Sequence, residues 1–379
     1  MQASSERAAQ ARPSLEGRPE YRDIPLYAPG TAPCATDLSD TINLWGAPPA
    51  ALAAVRAAAA EHVFTYPALY NAELKAPIAA YAGVAPDAIV TGCGSDDVID
   101  CALRAFARPG GRVAHAAPTF SMVPVYARAN GMTPVGVPLA GTDYRADADA
   151  LLAVDAEVIY LCSPNNPTAT PLARATVERV VARARGLVLL DEAYAEYVLA
   201  DDGTTAEVFT AEAPGWERVL ALRTMSKAFG LAGLRVGYGV GAPAVVREVE
   251  KARGPFKVTF PAERAARAAL ADTADGLQWV RAQARTAVAQ RRTLERALRE
   301  LGLAPAPGAA HFVFVPVPDA RHVAVALRER HDVGVRVFGG LPTAVPALAA
   351  SGGEALRVNV GPDALLDRFV SALAAVLAR

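Results

Sequence analysis

The stretch Val219-Leu220-Ala221-Leu222-Arg223-Thr224-Met225-Ser226-Lys227-Ala228-Phe229-Gly230-Leu231-Ala232-Gly233-Leu234-Arg235 starts as an apolar run and breaks into a loop of hydroxyls, glycines, a lysine and an arginine. A short apolar run bounded by turn residues reads as a strand buried on both faces, the kind found in the middle of a parallel sheet. The loop then lies at the strand's carboxyl end, where open α/β sheets bind ligands. Outward from it the pattern repeats. Apolar runs at 88–91, 112–115, 133–138, 157–162, 187–191 and 236–240 alternate with alanine-rich, helix-compatible stretches at 49–61, 72–81, 96–107, 120–130 and 173–184. This alternation predicts an α/β fold with a mainly parallel seven-stranded sheet.

Beyond it the pattern changes. A long Arg- and Ala-rich helical stretch is expected over 261–301, with Gly302 at its C-terminal cap. Strands near 311–317, 334–338 and 355–360, a helix near 321–330 and a final helix then suit a second, smaller α+β domain. The boundaries expected are a flexible tail over 1–20, a large α/β domain over 49–285 and a small domain over 286–379.

Composition narrows the function. With 52% hydrophobic and 20% charged residues the chain is an ordinary globular protein, and its net charge of −1 marks neither a nucleic-acid nor an acidic-membrane partner. Cys34, Cys93, Cys101 and Cys162 lack metal spacing and disulfide density, and are expected to be reduced thiols. No apolar run approaches the roughly 20 residues of a membrane span, and the cytoplasm is the default location.

The chemistry is expected where strands end. An amine at Lys227, in an apolar neighbourhood and near Arg235, has its pKa lowered and becomes nucleophilic toward an aldehyde. Thr224, Ser226 and Arg235 can grip a phosphate, the arginine by a bidentate fork. The run 187–194 ends in Asp191-Glu192-Ala193-Tyr194, which sets a carboxylate at the sheet's carboxyl edge, able to keep a pyridine nitrogen protonated. Ser163-Pro164-Asn165-Asn166-Pro167-Thr168 fixes a tight loop after another strand. Gly92-Cys93-Gly94-Ser95-Asp96 joins strand to helix and offers helix-start amides to a phosphate, but it lacks the third glycine of a dinucleotide fingerprint.

These four blocks, in this order, resemble the fold-type-I aminotransferases that use pyridoxal phosphate (PLP), and most closely the histidinol-phosphate aminotransferase group. The likeness runs from about Tyr21 onward. It implies a large PLP domain, a small domain joined by the N-terminal segment 21–48, small-molecule donors and acceptors, and a homodimer with shared active sites. It further implies that Lys227 is the Schiff-base lysine and proton shuttle, that Asp191 pairs with the pyridine nitrogen, and that Asn166 and Tyr194 address the phenolic oxygen. Phe120 would stack on the ring, although a core phenylalanine is the competing reading. Ser95, Asp96, Thr224, Ser226 and Arg235 would hold the phosphate, with Tyr66 reaching the neighbouring subunit's phosphate. On the substrate side, Arg357 would bind the α-carboxylate or its equivalent, Arg336 a distal phosphate, and Asn43 and Tyr27 would also approach the substrate.

The sequence departs from that group in three places. Thr41-Ile42-Asn43-Leu44-Trp45-Gly46 replaces an Asn-Glu-Asn-Pro-aromatic-Gly segment near the substrate, His311 stands where an asparagine is usual, and Ala169 where a glycine is usual. The function expected is amino transfer from a donor such as glutamate, with histidinol phosphate as leading substrate and an aromatic amino acid as alternative. The same cofactor also supports decarboxylation, cyclisation or oxidation. A non-catalytic PLP-binding regulator would need a DNA-binding module for which the N-terminal tail is too short. His62, His115, His322 and His331 have no ligand-like spacing, and no metal site is expected.

Overall fold

The computed structural model describes residues 17–26, 33–61, 64–199 and 207–378; most of the expected tail, Tyr27 and His62 lie outside the described residues. Its strands are β1 (Thr36–Asp37), β2 (Ile89–Cys93), β3 (Arg112–Ala117), β4 (Thr133–Pro138), β5 (Val158–Cys162), β6 (Leu187–Asp191), β7 (Val219–Thr224), β8 (Val236–Gly241), β9 (Phe312–Pro316), β10 (Val333–Gly334), β11 (Arg336–Phe338) and β12 (Ala355–Asn359). The helices of the first half are α1 (Pro49–Glu61), α2 (Ala72–Ala82), α3 (Gly94–Phe106), α4 (Met122–Ala129), α5 (Ala148–Ala153) and α6 (Arg174–Arg183). Those of the second are α7 (Pro243–Ala252), α8 (Phe260–Leu270), α9 (Leu277–Glu300), α10 (Ala320–His331), α11 (Pro346–Ala349) and α12 (Asp363–Leu377).

The large sheet has seven strands in the order β2-β8-β7-β6-β5-β3-β4, all parallel except β8. Strands β5, β6 and β7 are buried at every residue, which is why their sequences are continuous apolar runs rather than alternating ones. Alternate residues of β5 and β6 point into two separate cores: Ile159, Leu161, Val188 and Leu190 into one, Tyr160, Cys162, Leu187 and Leu189 into the other. A second sheet, β11-β12-β9, is antiparallel, and β1 near the N-terminus pairs in parallel with β10 near the C-terminus.

Two expectations need correction. The helical stretch over 261–301 is broken: Asp272-Thr273-Ala274-Asp275-Gly276 forms a turn in which Leu277 N donates to Ala271 O at 2.8 Å and Thr273 Oγ1 to Asp275 Oδ1 at 2.8 Å. Short polar side chains that bond locally compete with the helix, and a side chain at Gly276 would meet Ala271 O at 2.5 Å. The strand over 334–338 divides into β10 and β11, which pair with different partners. Helices α5, α7 and α11 were not anticipated, although α7 and α11 each open with proline at the first position, a standard start signal. The apolar face of α9, with Leu277, Val280, Ala284, Ala287, Leu294 and Leu298 buried, runs through the expected domain boundary at 285 as one helix, and Gly302 follows it at φ +78°.

Candidate active site

The carboxyl ends of β2, β3, β5, β6 and β7 open on a cavity of about 470 Å³. A cleft of about 600 Å³ at the opposite edge is lined by Arg108, Arg112, Asp155 and Glu157, whose charges pair with one another. The first cavity instead gathers groups with unspent chemistry.

Lys227 lies in the loop after β7, closed by Gly230 N to Lys227 O at 3.0 Å and anchored by fully buried Met225 and Phe229. Gly230, at φ +64°, touches the N-terminal segment so closely that a Cβ there would sit 2.0 Å from Gly46 O. This backbone contact carries Thr41 over the lysine: Lys227 Nζ donates to Thr41 Oγ1 at 2.7 Å and to Thr41 O at 2.9 Å. Burial, and next the Arg357 guanidinium, lower the Lys227 pKa to about 8. The cation acting on the amine is therefore Arg357, not Arg235 as the sequence suggested. Arg235 is turned away, its Nη1 on Ser226 Oγ at 3.2 Å and its Nη2 on Asp96 Oδ2 at 3.1 Å.

Asp191 closes β6. Its Oδ2 accepts from Tyr160 OH at 2.6 Å and its Oδ1 from Ala193 N at 3.0 Å, and burial raises its pKa to about 6. Its neighbour Glu192 serves a different network, accepting from Phe209 N at 2.7 Å and from Thr210, beside the buried Arg223–Glu196 pair. Asn166 links two other cavity groups: its Nδ2 donates to Tyr194 OH at 3.3 Å and its Oδ1 accepts from Arg357 Nη1 at 2.7 Å. Burial pushes the Tyr194 hydroxyl up, so it stays protonated and can donate. Arg357 is held further by Ser39 O at 2.9 Å and by the Phe312 and Phe338 rings, 5.4 and 5.6 Å from its centre.

At the other end, Thr224 Oγ1 donates to Ser226 Oγ at 3.0 Å, and Arg235 faces the start of α3, which carries no side-chain cap. The Ser95 and Asp96 amides are thus at a helix N-terminus without intrahelical partners. Two glycines keep this corner open. A Cβ on Gly94 (φ +79°) would lie 2.5 Å from Arg235 Nη2, and one on Gly237 would lie 2.1 Å from Ser95 N. Hydroxyls, a guanidinium and helix-start amides suit a phosphate; an amine of lowered pKa suits an aldehyde; a buried carboxylate facing the cavity suits a protonated ring nitrogen. The residues present fit PLP in all three respects.

The cavity also takes in Phe120 and Arg336, and Arg336 lies opposite Arg357 across the β11–β12 pairing. Phe120 lines the cavity and also packs on a core cluster. Asn43 is not on the lining. Its Nδ2 donates to Ala228 O at 3.0 Å and its Oδ1 accepts from Trp45 N, so its side chain is committed to a turn. Tyr66 is 80% exposed, stacked on Phe256 at 4.7 Å, and is likewise absent from this chain's own cavity. His311 is buried behind Tyr194, its ring stacked on Tyr197 at 4.5 Å, and burial holds its imidazole well below the ordinary pKa. Ala169 adopts the conformation alanine resists, φ +63°, fixed by its N on Asn165 O and Ala309 N on its O, both at 2.7 Å. The turn is kept, at a strain of about 1 kcal/mol.

Sequence reasoning missed Thr41, Tyr160, Met122, Tyr126 and Phe338. Tyr160 could have been found, because two-residue periodicity puts it on the face of Cys162, whose partner across the sheet is Asp191. Thr41 could not, since nothing local ties it to a lysine 186 residues away.

The family profile "Aminotransferase class I and II" matches residues 36–373. An aromatic amino acid aminotransferase of Mycolicibacterium vanbaalenii is 35% identical over 339 residues, 86% of this chain and 94% of that one. A histidinol-phosphate aminotransferase of Ruegeria pomeroyi is 34% identical over 372 residues, 94% of this chain and 97% of that one. Among solved structures, histidinol-phosphate aminotransferase from Sinorhizobium meliloti, in complex with pyridoxal-5'-phosphate, is similar with a TM-score of 0.79 and 28% identity, covering 91% of this chain and 92% of that one.

Proposed function

The chain belongs to the class I and II aminotransferases, and on that premise we propose that it moves an amino group between glutamate and the carbonyl partner of histidinol phosphate. PLP, when bound, supplies an aldehyde that captures the amine and a ring that accepts electrons from the substrate's α-carbon. Thr224, Ser226, Arg235 and the α3 amides would hold its phosphate, Asp191 its ring nitrogen, Asn166 and Tyr194 its phenolic oxygen, and Phe120 its ring face. The Lys227 amine, neutral in good part near pH 8, would hold the cofactor's aldehyde carbon and would carry the proton between the substrate's α-carbon and the cofactor. Arg357 orients the substrate by a planar two-point contact.

The observation that carries the substrate assignment is the placement of Arg336 beside Arg357 on the cavity wall. Two guanidinium groups there match the two carboxylates of glutamate and can close together on the single, doubly charged phosphate of histidinol phosphate, which has no α-carboxylate. A second reading, an aromatic amino acid, is favoured by Ile42, Met122 and Phe338 on the same wall, in keeping with the aromatic-aminotransferase relatives. The test loads purified protein with PLP and follows glutamate formation from 2-oxoglutarate with histidinol phosphate, phenylalanine or tyrosine. Histidinol phosphate is expected to show the highest kcat/KM. A higher value for phenylalanine or tyrosine transfers the assignment to the second reading, and no glutamate from histidinol phosphate removes the first.

The working unit in this proposal is a homodimer in which Tyr66 reaches the partner's phosphate site. Its support is an exposed aromatic patch, with Phe64 87% and Tyr66 80% accessible, away from this chain's own cavity.

A further inference from the structure

Asp191 is the buried charge on which the proposed chemistry depends, and burial by itself favours the neutral acid over the carboxylate. Behind it, away from the cavity, lies Tyr160, fully buried on β5. The parallel register pairs Cys162 with Asp191 and Tyr160 with Leu189, so Tyr160 and Asp191 project from the same face of the sheet. Tyr160 OH donates to Asp191 Oδ2 at 2.6 Å, a length typical of a hydroxyl bonded to a charged oxygen. The Ala193 amide takes Oδ1 at 3.0 Å. A carboxylate has about four acceptor positions, so both oxygens retain capacity toward the cavity that Asp191 lines.

We propose that Tyr160 is a positioning residue, holding the Asp191 carboxylate in its charged form and aimed at the cofactor ring. The proposal rests on the reading above that Asp191 faces the ring nitrogen. The other titratable groups around Asp191 do not replace this bond. Cys162 on β5 is kept neutral by burial, Tyr194 after β6 is likewise a protonated hydroxyl, and Asp96 on α3 disfavours a second negative charge. Lys227, after β7, favours it only while its own amine is protonated, and that proton must leave for the amine to act as nucleophile. The Tyr160 hydroxyl, pushed well above its ordinary pKa by burial and by Asp191, remains a donor across the working range.

The test replaces Tyr160 by phenylalanine and, separately, by 2,3-difluorotyrosine, a stronger donor of nearly the same shape. The Asp191 carboxyl is titrated in protein without PLP by 13C NMR of labelled aspartate, with Asp191→Asn identifying its signal. The Tyr160→Phe midpoint is expected to rise by about one to two pH units, as loss of a hydrogen bond to a charged group requires, and the fluorinated variant's to fall. In the PLP-loaded enzyme the acid limb of the kcat profile should move the same way. Should Tyr160→Phe fail to fold, the fluorinated variant carries the test alone. Unmoved midpoints overturn the role of Tyr160. Midpoints that move while the acid limb stays put overturn instead the reading of Asp191 as ring partner, whatever the substrate proves to be.

Discussion

Replacing Asp191 by asparagine should stabilise the PLP-free protein while abolishing its function. Asp191 is 4% exposed, and burial moves its pKa from 3.8 to about 6. A carboxyl whose folded pKa is raised contributes its stability below the unfolded value and loses it as pH climbs through the folded one. Two pKa units at 1.36 kcal/mol each give a penalty of about 3 kcal/mol for the wild type once both states are ionised. Asparagine is isosteric: its oxygen can accept the Ala193 amide and its nitrogen can donate to the Tyr160 hydroxyl, whose own proton can turn to the neighbouring Cys162 sulfur. The gap in urea-unfolding free energy between Asp191→Asn and wild type should therefore be near zero below pH 4, about half its final size at pH 5, and about 3 kcal/mol at pH 7. The PLP-loaded variant should lose about 100-fold or more in kcat, the usual consequence of removing a buried electrostatic partner of the reacting group. A gap independent of pH, or a variant less stable than wild type at pH 7, would show that Asp191 is not the desolvated carboxylate described here.

Two further outcomes are expected. Arg357→Leu removes the cation that, after burial, most lowers the Lys227 pKa, so the rise of single-turnover rate with pH should move above pH 8, with kcat/KM for carboxylate substrates falling about 100-fold; an unmoved rise would detach Arg357 from the amine. For the proposed homodimer, Lys227→Ala and Tyr66→Ala subunits, each inactive, should on co-refolding regain about a quarter of wild-type activity, because half of the random dimers carry one intact site. No recovery, or a monomeric mass in sedimentation, would remove Tyr66 from the neighbour's site.

The inner strands β5, β6 and β7 were legible because burial on both faces leaves no room for polar residues, and a continuous apolar run is hard to mistake. The groups at their ends were legible for a related reason: Lys227, Asp191 and Asn166 each follow such a run directly, so topology alone brings them to one edge. Legibility failed where the outcome depends on side-chain direction or on distant pairing. Asn43 has the right chemistry for a ligand and is in the right segment, yet the local turn claims both ends of its amide. Arg235 looked like the cation beside Lys227 from proximity in sequence, whereas Arg357 takes that place from 130 residues further on through the pairing of β12. The turn at 272–276 was hidden because helix-compatible composition on both sides outweighed five residues that bond to one another.

The hydrogen bonds from Lys227 to Thr41 and from Arg357 to Ser39 join residues 186 and 318 positions apart. Contacts of such separation form only after a long loop has been closed, at an entropic cost. Until they close, the lysine is solvated, keeps its proton at neutral pH and is as inert as any surface lysine. A reactive amine on a half-folded chain would capture whatever aldehydes and sugars it met, and each such adduct would be a lost enzyme. In this chain reactivity arrives only with the buried, Arg357-flanked setting that lowers the pKa, so the completed fold acts as a safety catch on its own nucleophile.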